Sequence, residues 1–144
     1  MSEFIIQRHD VSEDGTQVML AAAIEKAGTL GLAFSIAIVD RAGLLADFHR
    51  MAGASQLSVQ VAQAKAYSAV LANRPTHAWE STFEAEPSLR LGIPPGVPGI
   101  LVIGGGYPAV IGGETVGGIG VSGAHYNQDM EVARAGLAAI GAEV

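Results

Sequence analysis

The chain has 144 residues, of which 49% are hydrophobic and only 15% charged, with a formal net charge of −6. This length is typical of a single domain, and the acidic charge with scattered Lys and Arg residues argues against nucleic acid as a partner. No basic leader precedes an apolar run and no segment approaches the roughly 18 apolar residues of a membrane span, so we expect a cytoplasmic protein without a membrane partner.

The first half of the chain predicts a helix, a β-hairpin and a second helix. Apolar positions recur at helical spacing over residues 16–30. Two short β-branched or aromatic runs, 33–39 and 44–50, flank turn residues and predict a hairpin. A long and almost uncharged helix follows over residues 55–73. Ser55 caps its start, and Pro75 ends it.

The second half predicts a connection with a short helix and a loop, then three strands and a last helix. Residues 76–99 favour a short amphipathic helix and then a Pro/Gly loop over 93–99, where a pocket lid could lie. Three strands joined by glycine-rich turns follow at residues 100–103, 107–111 and 115–122. Asn127 opens the final helix. The order predicts an α/β (α+β) domain with a five-stranded antiparallel sheet and helices packed on it.

Low charge content predicts that this protein is a homo-oligomer. Globular proteins carry about 25% charged residues, so a chain with 15% has few groups for a fully wetted surface. Some apolar surface is therefore expected to lie between subunits. The chain also has no cysteine, which excludes disulfides, thiolate metal sites, iron–sulfur clusters and a cysteine nucleophile.

One stretch matches the dinucleotide-binding fingerprint but lacks the surrounding secondary structure of a dinucleotide-binding fold. Residues 118–123 read G-x-G-x-x-G and lead from a strand into a helix. A Rossmann unit needs a further parallel strand after the helix, together with an acidic residue about 20 positions on, and no such strand follows here. We interpret these glycines as positions where another element approaches the strand closely.

The four histidines do not predict a metal site. None forms a pair with zinc-type spacing, although His77 shares a helical face with Glu80 and Glu84, and His125 precedes Asp129 by one turn. Ordinary solvent-exposed polar residues account for both arrangements. No metal ligand is predicted.

Lys65 is the most informative charged residue. It is the only formally charged side chain between Arg50 and Arg74, and a lone cation in an apolar helix needs a partner. It could reach solvent or pair with a carboxylate such as Asp129, or it could join Arg50 in binding a ligand carboxylate. A desolvated lysine could also transfer protons. We expect Lys65 to point toward a pocket and not toward bulk water.

Several short motifs, each weak alone, stand at residues 39–43, 50–54, 65–69, 74–76, 104–108, 117–123 and 128–129. Together they resemble the GlcG/HbpS-like haem-binding and haem-degrading family, which is related to the C-terminal domain of PduO-type cobalamin adenosyltransferases. The resemblance covers about residues 16–141 and implies a single GlcG/HbpS-like domain over 1–144. It also implies a profilin-like, three-layer α/β/α fold and a homo-oligomer. Ala52 and Ser68 depart from the family pattern, where Asp and Thr are usual.

Three functions follow from this resemblance and from the residues. The first is a small-molecule-binding protein that binds haem, the one cofactor considered, with Arg50 and Lys65 on the propionates and an axial ligand from the Thr76–His77 region or from another histidine. The second is a cofactor-independent catabolic isomerase, tautomerase or lyase for a small carboxylic or oxo acid. The third is a non-catalytic accessory or sensor domain. Many family members lie in catabolic operons, and whether the chain is an enzyme stays open.

The candidate site residues divide into two groups. In the enzyme hypothesis Lys65 or Asp129 moves a proton, and backbone amides stabilise an enolate. The catalytic candidates are Lys65 and Asp129. The ligand-binding candidates, for a ligand expected to be anionic, are Arg50, Met51, Lys65, Thr76, His77, Gly104, Gly105, Gly106, Ser122 and Gln128.

Overall fold

The computed structural model describes residues 2–144 as helices packed around one sheet. In chain order the elements are α1 (Glu13–Leu30), β1 (Ser35–Asp40), β2 (Leu45–Arg50), α2 (Gln56–Ala72), α3 (Trp79–Ala85), α4 (Pro87–Gly96), β3 (Gly106–Ile111), β4 (Glu114–Ser122) and α5 (Tyr126–Ala139). A single 3₁₀ turn, Thr76–Ala78, leads into α3. Within residues 2–144, none of the helices is both long enough and apolar enough to cross a bilayer.

The sheet has four strands in the order β2-β1-β4-β3, and every neighbouring pair is antiparallel. Ser35 of β1 lies opposite Arg50 of β2 on one side and opposite Ser122 of β4 on the other. The ends of these strands therefore lie side by side at one end of the sheet. The predicted α+β fold with a single antiparallel sheet is confirmed.

Helices cover both faces of this sheet, which explains why β1 has no polar face. Alternate residues of a strand point to opposite faces. Ile36 and Ile38 pack into the larger core with α1 and α5, whereas Ala37 and Val39 pack against α2. All four are at most 2% exposed. The uninterrupted apolar run at residues 36–39 is thus the signature of a doubly covered strand.

The glycines of the fingerprint-like stretch allow α2 to lie close against β4. A Cβ built on Gly118 would lie 2.7 Å from Cγ2 of Val70, and one on Gly120 would overlap the backbone of Ala62 and Ala66. The facing positions on α2 are themselves small, so the two backbones approach closely. This contact accounts for the glycines without a dinucleotide.

Serine side chains cap the starts of both long helices, as predicted for Ser55. Ser12 caps α1 by accepting a hydrogen bond from the Gly15 amide at 3.0 Å, so this helix begins three residues before the predicted start. Ser55 caps α2 in the same way, accepting from the Ser58 amide. Asn73 ends α2 in the left-handed conformation, with φ of 51°.

The predicted fifth strand, residues 100–103, is wrong because its backbone groups are bound elsewhere. The Leu101 amide donates to the Ser68 hydroxyl at 2.7 Å, and the Ile103 carbonyl accepts from the Thr76 hydroxyl at 2.6 Å. Side chains of α2 and of the 3₁₀ turn thus take the places of a neighbouring strand. The segment is an irregular connection, and the sheet has four strands instead of five.

The prediction of a loop over residues 93–99 is also wrong in part. Helix α4 begins with Pro87, a favourable first helical position, and continues to Gly96 through Pro94 and Pro95. Each of these two prolines lacks the N–H that an interior helical residue donates. They lie in the last turn, where the helix ends soon afterwards with the Val97 amide donating to the Ile93 carbonyl at 3.0 Å.

Candidate functional site

Lys65 and Asp129 form a buried ion pair at the end of the sheet. The Lys65 Nζ lies 2.8 Å from Oδ2 of Asp129 and donates a second hydrogen bond to the Val121 carbonyl at 2.9 Å. The two residues are only 2% and 3% exposed. The ammonium therefore points away from bulk water, and a carboxylate of the chain itself is its partner.

The pair joins two helices that lie on opposite faces of the sheet. Lys65 belongs to α2 and Asp129 to the first turn of α5, so the lysine side chain must pass the strand ends. It does so beside Gly105, which has φ of +124°. A Cβ on Gly105 would lie 2.7 Å from the Val121 carbonyl oxygen and 2.9 Å from the Lys65 Nζ. Only glycine meets both the conformation and the space.

Burial dominates the electrostatics of Asp129. Removal from water raises the pKa of this carboxyl above its ordinary value, because the desolvation outweighs the opposing hydrogen bond and charge of Lys65. Its other oxygen, Oδ1, accepts from the Ala124 amide at 3.2 Å. Gln128 completes the start of α5 by accepting from the His125 amide at 3.3 Å. The side chains of Asp129 and Gln128 are therefore hydrogen bonded within the protein itself.

Thr76 fixes the glycine segment that precedes β3. The residue is fully buried, and its hydroxyl donates to the Ile103 carbonyl while it accepts from the Gly106 amide at 3.0 Å. One side chain therefore binds both ends of the stretch 103–106. Because His77 follows directly, the same hydrogen bonds hold its backbone next to this segment.

An open, mostly apolar cleft of about 570 Å³ begins at His77. Helices α3 and α4 form one wall, and the connection to β3 and the start of α5 form the other. The lining side chains and backbone belong to His77, Glu80, Phe83, Glu84, Pro87, Arg90, Val102, Ile103, Gly104 and Tyr126. The segment 76–99, expected to carry a pocket lid, supplies six of these ten residues.

His77 is the one imidazole in this cleft lining, and its electrostatic environment favours the neutral ring. The side chain is exposed, and its ring centroid lies 5.6 Å from that of Tyr107. Partial burial, and then the positive charge of Arg134, lower the pKa of His77 below its ordinary value of 6.5. A neutral imidazole has a free lone pair, which is the form that binds a metal.

Most of the site residues predicted from the sequence lie near the start of β3, but they do not form a single site. Lys65, Asp129 and Gly105 belong to the buried pair, while His77 and Gly104 line the cleft. Thr76 and Gly106 hydrogen bond each other between these two groups, and Gln128 caps α5.

Three predicted ligand-binding residues lie apart from the cleft. Arg50 ends β2, the edge strand opposite β3, and the two edges are three strand spacings or about 14 Å apart. Its guanidinium donates to the Ala54 carbonyl at 3.5 Å. Met51 packs against the larger core, and Ser122 lies half-buried opposite Ser35.

Sequence reasoning missed most of the cleft lining. Phe83, Pro87 and Arg90 lie on two short helices that were predicted as one helix and a loop. Val102 lies in the segment predicted as a strand, and Tyr126 lies at the start of α5. Within residues 2–144, no group of three or more His, Asp or Glu side chains is arranged to hold a metal ion directly.

Comparison with known proteins agrees with this architecture. Corrinoid adenosyltransferase PduO of Salmonella typhimurium is 35% identical over 121 residues, which cover 83% of this chain and 35% of PduO. The chain thus spans about a third of the length of that relative. Klebsiella pneumoniae protein ORFY has a similar structure, with a TM-score of 0.91, 29% identity, and coverage of 100% of this chain and 99% of ORFY.

A structure of PduOC in complex with haem is similar as well. Its TM-score is 0.86 at 30% identity, covering 93% of this chain and 97% of PduOC. The sequence profile of the family described as "Haem degrading protein HbpS-like" matches residues 11–138, which is most of the chain. The sequence resemblance is thereby confirmed, and this chain belongs to the HbpS-like family.

Proposed function

We propose that this protein binds haem in the cleft beside His77. The observation that carries the proposal is an accessible imidazole at an apolar cleft of about 570 Å³. Imidazole is a common axial ligand of haem iron, and apolar side chains suit the faces of the porphyrin. The haem complex of the similar PduOC and the family description support haem as the ligand class.

The residues of the cleft fit a haem in three respects. His77 offers a ring nitrogen to the iron, and its lowered pKa keeps that nitrogen unprotonated at neutral pH. Phe83, Val102 and Ile103 provide apolar contact. Arg90 is the cation in the lining, and a guanidinium binds a propionate carboxylate in a fork geometry.

Bound haem would supply iron chemistry, namely electron transfer or reaction with oxygen. The chain's own residues hold the ligand, with apolar side chains against the porphyrin. Thr76 fixes the backbone next to His77 through its hydrogen bonds to Ile103 and Gly106. In this proposal Lys65 and Asp129 support the cleft from behind, because Gly105 contacts the ammonium and the adjoining Gly104 lines the cleft.

The cofactor-independent enzyme has weaker support from the geometry. Its proton-transfer candidates, Lys65 and Asp129, are bonded to each other and nearly inaccessible to solvent. A small acid would have to break this pair before it could reach either group. A non-catalytic binding or sensor domain needs no such step and agrees with haem binding.

We also infer a homo-oligomer with a profilin-like arrangement of layers. Several large apolar side chains are strongly exposed, among them Leu44 and Leu45 at the edge of the sheet and Leu57 on α2. Exposed apolar groups of this size are commonly covered by a second subunit. The cytoplasmic location and the catabolic operon stay predictions.

Titration of the purified protein with haemin tests the haem proposal. We expect a shifted Soret band that saturates, and His77→Ala should weaken binding by at least about tenfold, since even the loss of an outer hydrogen bond to a metal ligand costs 10–100-fold. His49→Ala is the matched control, because His49 is an exposed histidine on β2. Unshifted absorbance, or equal weakening by both substitutions, would contradict the proposal.

A further inference from the structure

We propose that a second cavity, on the other side of His77, binds a small monocarboxylate through Arg134 and Tyr107. This cavity has a volume of about 540 Å³ and lies between β3, α5 and the turn that follows α2. It differs from the cleft assigned to haem, with which it shares only His77. The inference does not depend on haem binding.

Arg134 is a cation without an acidic partner at this position. Its guanidinium lines the cavity and is half-buried on α5, and no carboxylate of residues 2–144 lies within ion-pair distance of it. The one side-chain hydrogen bond it makes goes from Nη1 to the Tyr107 hydroxyl oxygen at 3.2 Å. A guanidinium has five N–H donors, so most of them are free for a ligand.

Tyr107 supplies a second donor at the same place. It is only 6% exposed, so its hydroxyl reaches this cavity from a buried position on β3. Because the oxygen accepts from Arg134, the hydroxyl proton remains available to donate. A carboxylate between the two groups would receive charge-assisted hydrogen bonds from both, which are stronger than those between neutral groups.

The remaining walls determine what kind of anion fits. Pro75, Pro108 and Met130 are apolar, which favours a ligand with a short hydrocarbon body. Glu143 also lines the cavity, and its amide donates to the Val110 carbonyl at 2.9 Å, which holds it there. Its negative charge repels a dianion more than a monoanion. We therefore infer an aliphatic monocarboxylate in preference to a phosphate.

Calorimetry on the haem-free protein tests this site with butanoate as the probe. Butanoate should bind, whereas the uncharged butanamide and inorganic phosphate should bind at least about tenfold more weakly. Arg134→Met should abolish detectable binding, and Tyr107→Phe should weaken it by about threefold to tenfold, the worth of one hydrogen bond. Lys26→Met is the control, because it removes the same charge from a pair with Glu131 at the surface.

Thermal unfolding of each variant separates loss of the site from loss of the fold. Arg134→Lys provides a second measure, since it keeps the charge and loses the forked geometry, and we expect intermediate affinity. Glu143→Gln should reduce the difference in affinity between phosphate and butanoate, because it removes the negative charge from the cavity wall. The proposal fails if the wild-type protein does not bind butanoate at tens of millimolar, or if a folded Arg134→Met variant binds it unchanged. Haem binding can fail without affecting any of these results.

Discussion

Two ion pairs, the buried Lys65–Asp129 and the surface Arg41–Glu114, join segments that are far apart in the chain, and His9 adds a contact to Glu114. Lys65 and Asp129 meet at 2.8 Å behind the glycine segment, almost without contact with water. Glu114 lies on the surface, where one oxygen is 2.7 Å from the His9 ring and the other 3.0 Å from the Arg41 guanidinium. The pairs have similar distances and very different surroundings.

The two carboxyl groups respond to these surroundings in opposite directions. Hydrogen bonds from His9 and then Arg41 lower the pKa of Glu114 to about 2, because they outweigh the opposing desolvation. Burial raises the pKa of Asp129 despite its equally short contact with Lys65. Distance alone therefore does not tell how an ion pair acts. The cost of removing water decides whether breaking it has a large or a small effect.

Breaking the buried pair should have the largest effect. Lys65→Met leaves Asp129 buried without a counter-charge, and we expect a loss of about 3–5 kcal/mol in the free energy of unfolding. Urea denaturation measures it. Adding Asp129→Asn should recover much of the loss, because the amide oxygen still accepts from the Ala124 amide. A loss below about 1 kcal/mol in the single variant would mean that the pair matters no more than an exposed one.

Gly105→Ala should disturb the same pair without removing either charge. Alanine at this position would have to adopt a positive φ. Its methyl group would also lie too close to the Val121 carbonyl oxygen and the Lys65 ammonium. We expect about 1–3 kcal/mol of destabilisation from the backbone strain, with more from the contacts. Gly113→Ala is a comparison variant, with positive φ and open space at its Cβ position. Equal losses in both variants would show that conformation alone is responsible.

The pH dependence should distinguish a desolvated carboxyl from an ordinary one. Because the pKa of Asp129 is raised, the folded protein binds a proton at pH values where the unfolded chain has released it, so acid favours the folded state at this group. Without Lys65 the rise is larger. The stability difference between wild type and Lys65→Met should therefore shrink as the pH falls from 7 toward about 4. A difference that stays constant over this range would contradict the raised pKa.

Breaking the surface pair should have the smallest effect, and salt should remove most of it. Glu114→Gln weakens the bonds that hold His9 and Arg41, and its effect should fade in about 1 M salt, where the screening length is near 3 Å. The lowered pKa places the stabilisation above about pH 4.5 and its loss between there and about pH 2. Hydrogen exchange at the Val11 amide, which donates to the Val116 carbonyl at 2.8 Å, reports this locally. Equal effects at low and high salt would contradict it.

Local chemistry was enough to predict most helices and strands. The Ser55 cap, Pro75 and the spacing of apolar residues act within a few positions, so both ends of α2 and most of α1 follow from adjacent residues. The glycines of β4 were likewise interpreted correctly, because close packing explains them without a ligand. The resemblance to the HbpS-like family rested on short motifs of consecutive residues, which the sequence shows without the fold.

Contacts between distant segments decided the rest. The apolar run 100–103 has a strand-like composition, yet Ser68 and Thr76 bind its backbone and no strand forms there. The isolation of Lys65 predicted a partner but left Asp129 and a ligand as alternatives. Only the fold, in which the Lys65 side chain reaches past the strand ends to α5, selected the carboxylate. The cleft beside His77 likewise joins distant segments, namely the 3₁₀ turn, α3, α4, the connection to β3 and the start of α5. A sequence pattern records what each residue prefers, whereas these features depend on which backbone and charged groups the fold brings within hydrogen-bonding distance.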